Sequence, residues 1–224
     1  MDISSWIDHQ ADNLPDKVAI IFEGDNITYS ELSDKIAALA AVLKGPLQVS
    51  HGDRVAFLGL NSPEMIALLF ACARLGAILV PLNWRLVPRE HREMLCDFNP
   101  KALFVEPEYY DHVESIADAV GDARLIALGD APPGWTAYHQ LFDQTDEILT
   151  GDQGADYDNP VLIVYTSGAT GTPKGVVLTQ QALFFNVVNA THMHDMTSED
   201  RILTTLPMFH VGGLNIQTLP ALHN

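Results

Sequence analysis

The hydrophobic positions along the chain alternate between two patterns. Short, nearly continuous apolar runs such as RVAFLGL at 54–60 indicate strands that are buried on both faces. Between them, apolar residues recur every three or four positions, as Leu32, Ile36, Leu39 and Leu43 do, and so share one face of an amphipathic helix. Strands are predicted over 18–22, 27–29, 54–60, 77–81, 102–105, 124–128, 161–165, 176–178 and 201–206. Helices are predicted after Thr28 and over 63–75, 88–98, 107–120 and 180–189.

Several element boundaries carry their own signals. The turn residues at 23–26 predict a hairpin between the first two strands. Thr28 and Glu31 have the spacing of a capping box, which marks the start of a helix. The tripeptide NSP at 61–63 supplies an N-cap and a proline for the first turn of the next helix, and Gly76 stands where that helix should stop.

The order of elements predicts the fold class. Strands that alternate with helices across short joints are typical of βαβ units, so we expect an α/β fold with mixed, mostly parallel sheets flanked by helices. Residues 143–158 contain six acidic residues and no Lys or Arg. We interpret them as a joint between two α/β halves, residues 1–142 and 159–224, with an ordinary surface loop as the alternative.

Composition and charge exclude several classes of partner. The 224 residues are 47% hydrophobic and 18% charged, which is typical of a soluble globular protein. A formal net charge of −17 argues against nucleic acid or an anionic membrane surface as the partner. The longest apolar run, residues 65–73, is well short of the roughly 20 residues that span a bilayer, so no transmembrane segment is expected.

The N-terminus and the cysteines indicate a cytoplasmic location. The first residues, MDISSWIDHQADN, lack the basic and apolar regions of a secretion signal. Cys72 and Cys96 stand apart, without a CxxC pairing, and are interpreted as reduced thiols in the core. His192 and His194 have no partners at metal-ligand spacing, so we expect them at a helix end or on the surface rather than as metal ligands, and we assign no metal site of the protein's own.

The stretch VYTSGATGTPKGVVLTQ at 164–180 places a glycine-rich loop directly after an apolar strand. Its glycines let the backbone approach a ligand, and successive N–H groups can converge on an anion. The hydroxyls can donate to phosphate or bind Mg²⁺, and Lys174 adds a cation. The loop fits neither the P-loop pattern nor the dinucleotide fingerprint G-x-G-x-x-G, so it would be a third kind of phosphate loop. From composition alone, a mobile turn rich in small residues remains the alternative.

Four segments resemble the adenylate-forming superfamily, which includes acyl-CoA synthetases, the adenylation domains of peptide synthetases and beetle luciferase. YTSGATGTPKG resembles the phosphate-binding signature of that superfamily. The others are ITYSELSDKIAALAAVL, GDRVAFLGLNSPEMIALLFACARLGAILVPLN and LPMFHVGGLN, in the order of the superfamily and across nearly the whole chain. The fold would then be the N-terminal part of the large adenylate-forming domain.

The resemblance implies a two-step reaction with ATP, Mg²⁺ and coenzyme A. A carboxylate attacks the α-phosphate of ATP and expels pyrophosphate, and a thiol then captures the acyl-adenylate. His210 would lie near the acyl carboxylate, and no catalytic residue is assigned to this chain. The residues that would hold the departing phosphates are Thr166, Ser167, Gly168, Ala169, Thr170, Gly171, Thr172 and Lys174.

The sequence departs from the superfamily at two points. Ala169 replaces the usual Thr or Ser, so we expect phosphate contacts weaker by about 1 kcal/mol, the net value of one hydrogen bond. The chain is also less than half of the usual length and lacks the later motifs and the C-terminal catalytic lysine, a role that Lys174 does not take. We therefore expect a fragment that cannot adenylate alone.

Among the members of the superfamily, the residues NWR at 83–85 resemble fatty-acid and aryl acyl-CoA ligases more than amino-acid adenylation domains. We therefore predict an acyl-CoA synthetase, with a small-molecule carboxylic acid, ATP and CoA as its partners. The alternative is a truncated or degenerate relative that binds a nucleotide or a partner without catalysis. The sequence leaves the choice of acid and the oligomeric state open.

Overall fold

The computed structural model describes residues 2–151, 153–166 and 173–224. The strands are β1 (Val18–Phe22), β2 (Asp25–Thr28), β3 (Arg54–Leu58), β4 (Ile78–Pro81), β5 (Ala102–Val105), β6 (Arg124–Ala127), β7 (Thr136–Ala137), β8 (Pro160–Thr166) and β9 (Lys174–Thr179). The α-helices are α1 (Ser5–Asn13), α2 (Tyr29–Lys44), α3 (Pro63–Leu75), α4 (Pro88–Phe98), α5 (Tyr110–Glu114), α6 (Ala117–Val120), α7 (Tyr138–Phe142), α8 (Gln180–His194) and α9 (Leu219–His223). A 3₁₀ turn spans Pro107–Tyr109, and a π-helix spans Gly212–Thr218.

Seven strands form one sheet in the order β7-β6-β5-β3-β4-β8-β9. All pairs in it are parallel except β8 with β9, which form an antiparallel hairpin. β1 and β2 form a separate antiparallel pair. The predicted α/β fold with a mostly parallel sheet is confirmed. The division at 143–158 stays a prediction, while β8 beyond it pairs directly with β4 before it.

The sheet is covered on both faces because its central strands are apolar at nearly every position. In β3, Val55 and Phe57 belong to the core cluster that contains helices α1, α2 and α3. Ala56 and Leu58, which point to the other face, belong to a second cluster with α4, α5 and α6. The alternation of side chains along a strand therefore divides one apolar run between two layers of helices.

The caps predicted from the sequence form as expected. The Thr28 side chain accepts from the backbone N–H of Glu31, and the Glu31 carboxylate accepts from that of Thr28, which completes the capping box. Ser62 caps α3, and Gly76 ends that helix in the left-handed region at φ 66°. The first hairpin turns tightly through Glu23 and Gly24, at φ 52° and 94°, a geometry that favours glycine at one of the two positions.

Three predictions from the sequence are wrong, two about elements and one about burial. Residues 201–206 form no strand, and no neighbouring backbone in the described part of the chain pairs with them. The helix expected over 107–120 is split after Glu114, where the Ser115 hydroxyl donates to the carbonyl of His112 and competes with helical bonding. Cys96 is exposed, unlike buried Cys72, because it lies on the outer face of α4.

Several elements lack a clear sequence signal and are absent from the predictions. They are α1, α7, α9, β7 and the π-helix that precedes α9. In the π-helix, the hydroxyl of Thr218 donates to the carbonyl of Gly213, five residues earlier, at 2.9 Å. Within the described part of the chain, no helix has the length and apolar character needed to cross a membrane.

Candidate functional site

The carboxyl ends of the parallel strands meet at one edge of the sheet. Asn61 follows β3, Asn83 follows β4, Glu106 follows β5, and Thr166 ends β8. In open α/β sheets, ligands bind at this edge because loops from several strands converge there. The glycine-rich loop predicted to hold phosphate thus begins at the edge where a ligand site is expected.

A cavity of about 360 Å³ lies at this edge. It is lined by Thr166 and Pro173, which flank the glycine-rich loop, and by His210 from the end of the chain. The other lining residues are Pro81, Asn83, Leu86, Glu90, Met94, Tyr165 and Phe209. The structure thus brings together two regions of interest that are 44 residues apart in sequence, Thr166 and His210.

Two of the predicted phosphate-binding residues are described, and they face each other. Thr166 and Lys174 pair across the β8–β9 hairpin, and the Thr166 hydroxyl donates to the Lys174 carbonyl at 3.5 Å. Both side chains are exposed and available to a ligand. Ser167, Gly168, Ala169, Thr170, Gly171 and Thr172 lie outside the described residues, so phosphate binding there stays a prediction.

His210 is exposed, and its ring is oriented by the backbone that follows it. Its Nδ1 accepts a hydrogen bond from the N–H of Gly212 at 3.1 Å. In a neutral imidazole the proton then lies on Nε2, which becomes a donor. Among the residues that the structure describes, Nε2 has no hydrogen-bond partner. A ligand oxygen in the cavity could therefore accept from it.

The His210 segment, residues 201–218, contacts the loop after β4 through aromatic rings. Trp84 meets Phe209 edge-on, with ring centroids 6.4 Å apart. The Arg85 guanidinium lies 4.7 Å from the Trp84 centroid and 5.9 Å from that of Phe209. A cation over aromatic faces is attracted to both rings. This contact holds one wall of the cavity while leaving the Arg85 side chain partly accessible.

The wall contributed by β8 is fixed by Tyr165. Its hydroxyl donates to the carboxylate of Asp97, and its ring lies 5.9 Å from that of Phe98. Burial raises the pKa of Tyr165, and the nearby charge of Asp97 raises it further. Tyr165 therefore stays a neutral hydrogen-bond donor over the physiological range and ties the start of the glycine-rich loop to α4.

Two histidines support the cavity from behind. Nε2 of His91 lies 3.1 Å from the carbonyl oxygen of Asn83, which can only accept, so His91 donates there. Nδ1 of His91 lies 2.8 Å from Nε2 of His112 and accepts from it. Burial, helped by the neighbouring His112, lowers the pKa of His91 to about 4. A neutral, buried His91 thus anchors the backbone of a residue that lines the cavity.

A second cavity of about 590 Å³ adjoins the first along the same edge. Its polar lining includes Asn61, Arg85, Glu106 and Glu108. Glu106 accepts from the N–H of Leu60 at 2.8 Å, and burial raises its pKa. A Cβ at Gly59 would lie 2.5 Å from the Glu106 side chain, so a larger residue there would displace that side chain.

A family model described as AMP-binding enzyme matches residues 7–224. The chain belongs to the AMP-binding enzyme family. The fold and the family expected from the glycine-rich loop and its neighbouring motifs are therefore confirmed.

Two curated relatives of the chain carry the names of acid–CoA ligases. An indoleacetate–CoA ligase from Aromatoleum aromaticum is 48% identical over 222 residues, covering 99% of this chain and 43% of the relative. A feruloyl-CoA synthase from Amycolatopsis sp is 36% identical, covering 98% of this chain and 42% of the relative. The chain thus spans less than half the length of these relatives.

A solved structure supports the same fold. The inhibitor-bound N-terminal domain of FACL13 from Mycobacterium tuberculosis superposes with a TM-score of 0.85 at 28% identity. The match covers 99% of this chain and 55% of that one.

Sequence reasoning found only part of this site. Glu90 and Met94 line the cavity, yet their types and spacing give no functional signal. As predicted, His192 and His194 are exposed at the end of α8. Within the described ranges, no three His, Cys, Asp or Glu side chains are grouped to hold a metal ion.

Proposed function

We propose that this AMP-binding enzyme acts as an acid–CoA ligase. It would activate a carboxylic acid with ATP and pass the acyl group to the thiol of coenzyme A. The observation that carries this proposal is the cavity at the sheet edge, which joins both flanks of the glycine-rich loop to His210. The names of the two curated relatives support the same activity.

The reaction replaces the poor leaving group of the carboxylic acid with a good one, AMP. A carboxylate oxygen attacks the α-phosphorus of ATP, and the bond to the oxygen that bridges to the β-phosphate breaks, which releases pyrophosphate. The thiol sulfur then attacks the acyl carbonyl carbon, and AMP leaves with the bonding electrons. The thiol proton passes to solvent. AMP is a far better leaving group than oxide, which explains why the acid must be adenylated first.

One side of the cavity would bind the phosphates of ATP, and the other would bind the acyl carboxylate. Thr166, Lys174 and the intervening loop would hold the phosphates that leave as pyrophosphate. Lys174 supplies a local cation within a chain of net charge −17, whose overall field opposes an anionic nucleotide. On the opposite side, Nε2–H of His210 would donate to an oxygen of the acyl carboxylate and hold it for attack.

Mg²⁺ would enter with ATP. The described wall of the cavity offers the Thr166 hydroxyl and the Glu90 carboxylate, both oxygen donors of the kind that Mg²⁺ takes. The ion would neutralise phosphate charge. The cytoplasmic location expected from the N-terminal residues remains part of this proposal.

The acid would carry an aromatic ring. Phe209 and Tyr165 supply aromatic walls beside His210, and Met94 adds a deformable apolar contact. Aromatic acids also appear in the names of both curated relatives, indoleacetate and ferulate. A ring held among these side chains would place its carboxylate near His210.

Pyrophosphate release by the protein from the complete reading frame tests the proposal. Indoleacetate, ferulate and octanoate are offered separately with Mg·ATP and CoA. We expect release with at least one aromatic acid and formation of its CoA thioester. ATP binding without release for any acid would favour the alternative, a nucleotide-binding relative without catalysis, and would overturn the ligase function.

A substitution tests the phosphate assignment separately. Lys174→Ala should raise the KM for ATP by about tenfold or more, because a charge-assisted hydrogen bond is lost. Lys101→Ala is the matched control, since Lys101 is an exposed lysine at the start of β5, on the opposite edge of the sheet. Equal KM values for both variants would remove Lys174 from the phosphate site.

A further inference from the structure

The side chain of Asn61 makes two hydrogen bonds to the backbone of the His210 segment. Its Nδ2 donates to the carbonyl of Leu206 at 3.0 Å, and its Oδ1 accepts from the N–H of Met208 at 2.8 Å. The N–H of Met208 can only donate, which fixes the orientation of the amide. Asn61 thus pairs with residues 206–208 as a neighbouring strand would, across 147 residues of sequence in the longer-range bond.

Asn61 itself is held by regular structure on both sides. On one side, the N–H of Leu60 donates to Glu106, which follows β5. On the other, Ser62 caps α3, one of the most deeply buried helices in the fold. Residues 201–206 belong to no strand or helix, so the two bonds tie an irregular segment to a fixed point of the scaffold.

A displacement of residues 206–208 would be passed on to His210. The N–H of His210 donates to the carbonyl of Pro207 at 3.2 Å, which joins it to the tethered residues. Beyond His210, Gly213 packs so closely that a Cβ there would lie 2.4 Å from the Leu206 carbonyl oxygen. The tethered residues, the turn at His210 and the start of the π-helix therefore form one packed unit.

We propose that Asn61 is a positioning residue for the ligase reaction. It acts through His210 by fixing the backbone from which that imidazole is presented to the acyl carboxylate. This role rests on the proposed function of the chain. Asn61 touches no reacting atom in this scheme, and phosphate binding depends on a different element, the β8–β9 hairpin.

The test separates the acid from ATP. In the protein from the complete reading frame, Asn61→Ala should lower kcat/KM for the aromatic acid by about tenfold, the effect expected for losing two modest hydrogen bonds. The KM for ATP should stay within about twofold. Thr28→Ala is the matched control: it loses a side-chain hydrogen bond at the start of α2, outside the cavity, and should leave both parameters unchanged.

Asn61→Asp supplies a readout that general destabilisation would not give. A protonated carboxyl can still donate to the Leu206 carbonyl and accept from Met208, whereas a carboxylate turns two negative oxygens toward an acceptor. Glu23, Glu106, Glu108 and Arg85 line the cavity next to position 61, and Glu64 lies on α3. Expressed as a ratio to the unsubstituted protein, which contains the same groups, the activity of Asn61→Asp should rise as pH falls from about 7 to about 4, where an Asp carboxyl of ordinary pKa takes up its proton.

Each outcome has one meaning. If the unsubstituted protein releases no pyrophosphate with any acid, the ligase function fails, and the positioning role fails with it. Normal release with an unchanged acid kcat/KM in Asn61→Ala would overturn the positioning role alone. An equal rise in the KM for ATP and for the acid would also overturn it, as would a pH-independent ratio in Asn61→Asp.

Discussion

Helix α3 and the His210 segment adjoin each other at the sheet edge but are stabilised in opposite ways. Every residue of α3 except Glu64 is buried. The His210 segment instead exposes apolar side chains, with Leu203 at 80% and Leu206 at 49%. One element is held by packing on all sides. The other enters the core through Met208 and Leu214, and the rest of it is held by a few identifiable contacts. These are the contacts of Asn61, of Phe209 with Trp84, and of Thr204 with Thr218.

This contrast shows where chemistry and stability reside. Binding residues often lie on loops carried by a rigid scaffold, because a loop can adopt the backbone that a ligand requires. In this protein the scaffold supplies Asn61 after one strand and Asn83 after the next, and the candidate acyl-binding His210 lies on the irregular segment. Substitutions in α3 should therefore change stability first, and substitutions in the His210 segment should change activity first.

The greatest loss of stability is expected in the packed helix. Arg74 on α3 is completely buried and donates to Ser4 and the Leu149 carbonyl, and its Nη2 donates to both carboxylate oxygens of Asp8 at 2.7 and 2.8 Å. Arg74→Ala leaves these acceptors without their donor and should lower the free energy of unfolding by about 3–5 kcal/mol in urea titrations. Arg89→Ala removes an 86%-exposed arginine and should change little. Equal losses for both variants would contradict the assignment of stability to the buried helix.

The next effect concerns pH and the support behind the cavity. Burial lowers the pKa of His91 from its ordinary value of 6.5 to about 4, so folding favours the neutral ring. Above pH 6.5 the ring is neutral in both the folded and the unfolded state, so it does not reduce the free energy of unfolding. As pH falls from 6.5 toward 4, the unfolded chain binds a proton that the folded protein does not, and the free energy of unfolding decreases.

The groups that surround the His91 ring are the His112 ring, the Asn83 carbonyl and Glu90. Between about pH 7.5 and 4, the unsubstituted protein should lose roughly 2–3 kcal/mol more unfolding free energy than His91→Gln, at about 1.36 kcal/mol per pKa unit. Urea titrations across this range measure the difference. Parallel pH profiles for the two proteins would rule out His91 as the origin.

The smallest of the three effects concerns the irregular segment. A Cβ at Gly213 would lie 2.4 Å from the Leu206 carbonyl oxygen and 2.5 Å from that of Pro207. Gly213→Ala should lower the free energy of unfolding by about 1–3 kcal/mol through overpacking. It should also lower the kcat/KM for the acid. At neighbouring Gly212 a Cβ would meet nothing closer than 3.4 Å, so Gly212→Ala is the control. A greater loss of activity at Gly212 would show that this close contact is not what matters.

A structural feature could be predicted when the residues that form it lie close together along the sequence. The capping box of Thr28 and Glu31, the cap at Ser62 and the stop at Gly76 were predictable because their partners lie within about four residues. Residues 201–206 have the apolar pattern of a strand but form none, since a strand also requires a neighbouring backbone to pair with. Cys96 shows the same limit, because its exposure depends on which face of α4 meets the sheet.

Some residues of the candidate site could be identified from local sequence, and others only from their position in the folded chain. The glycines, hydroxyls and lysine of the loop were visible in sequence, as was His210 through the motif around it. Glu90 and Met94 were not. They reach the cavity because β4 pairs with β8, and the paired residues Leu79 and Leu162 are far apart in sequence.

The α/β class, the family and the loop suited to phosphate could all be inferred from the chain, because periodicity, turn chemistry and short motifs are properties of neighbouring residues. Three features became visible only in the folded molecule: Asn61 holds the His210 segment, His91 supports Asn83, and Thr166 and His210 share one cavity. Each of these depends on how strands distant in sequence lie beside one another, and that order is set by packing of the whole core.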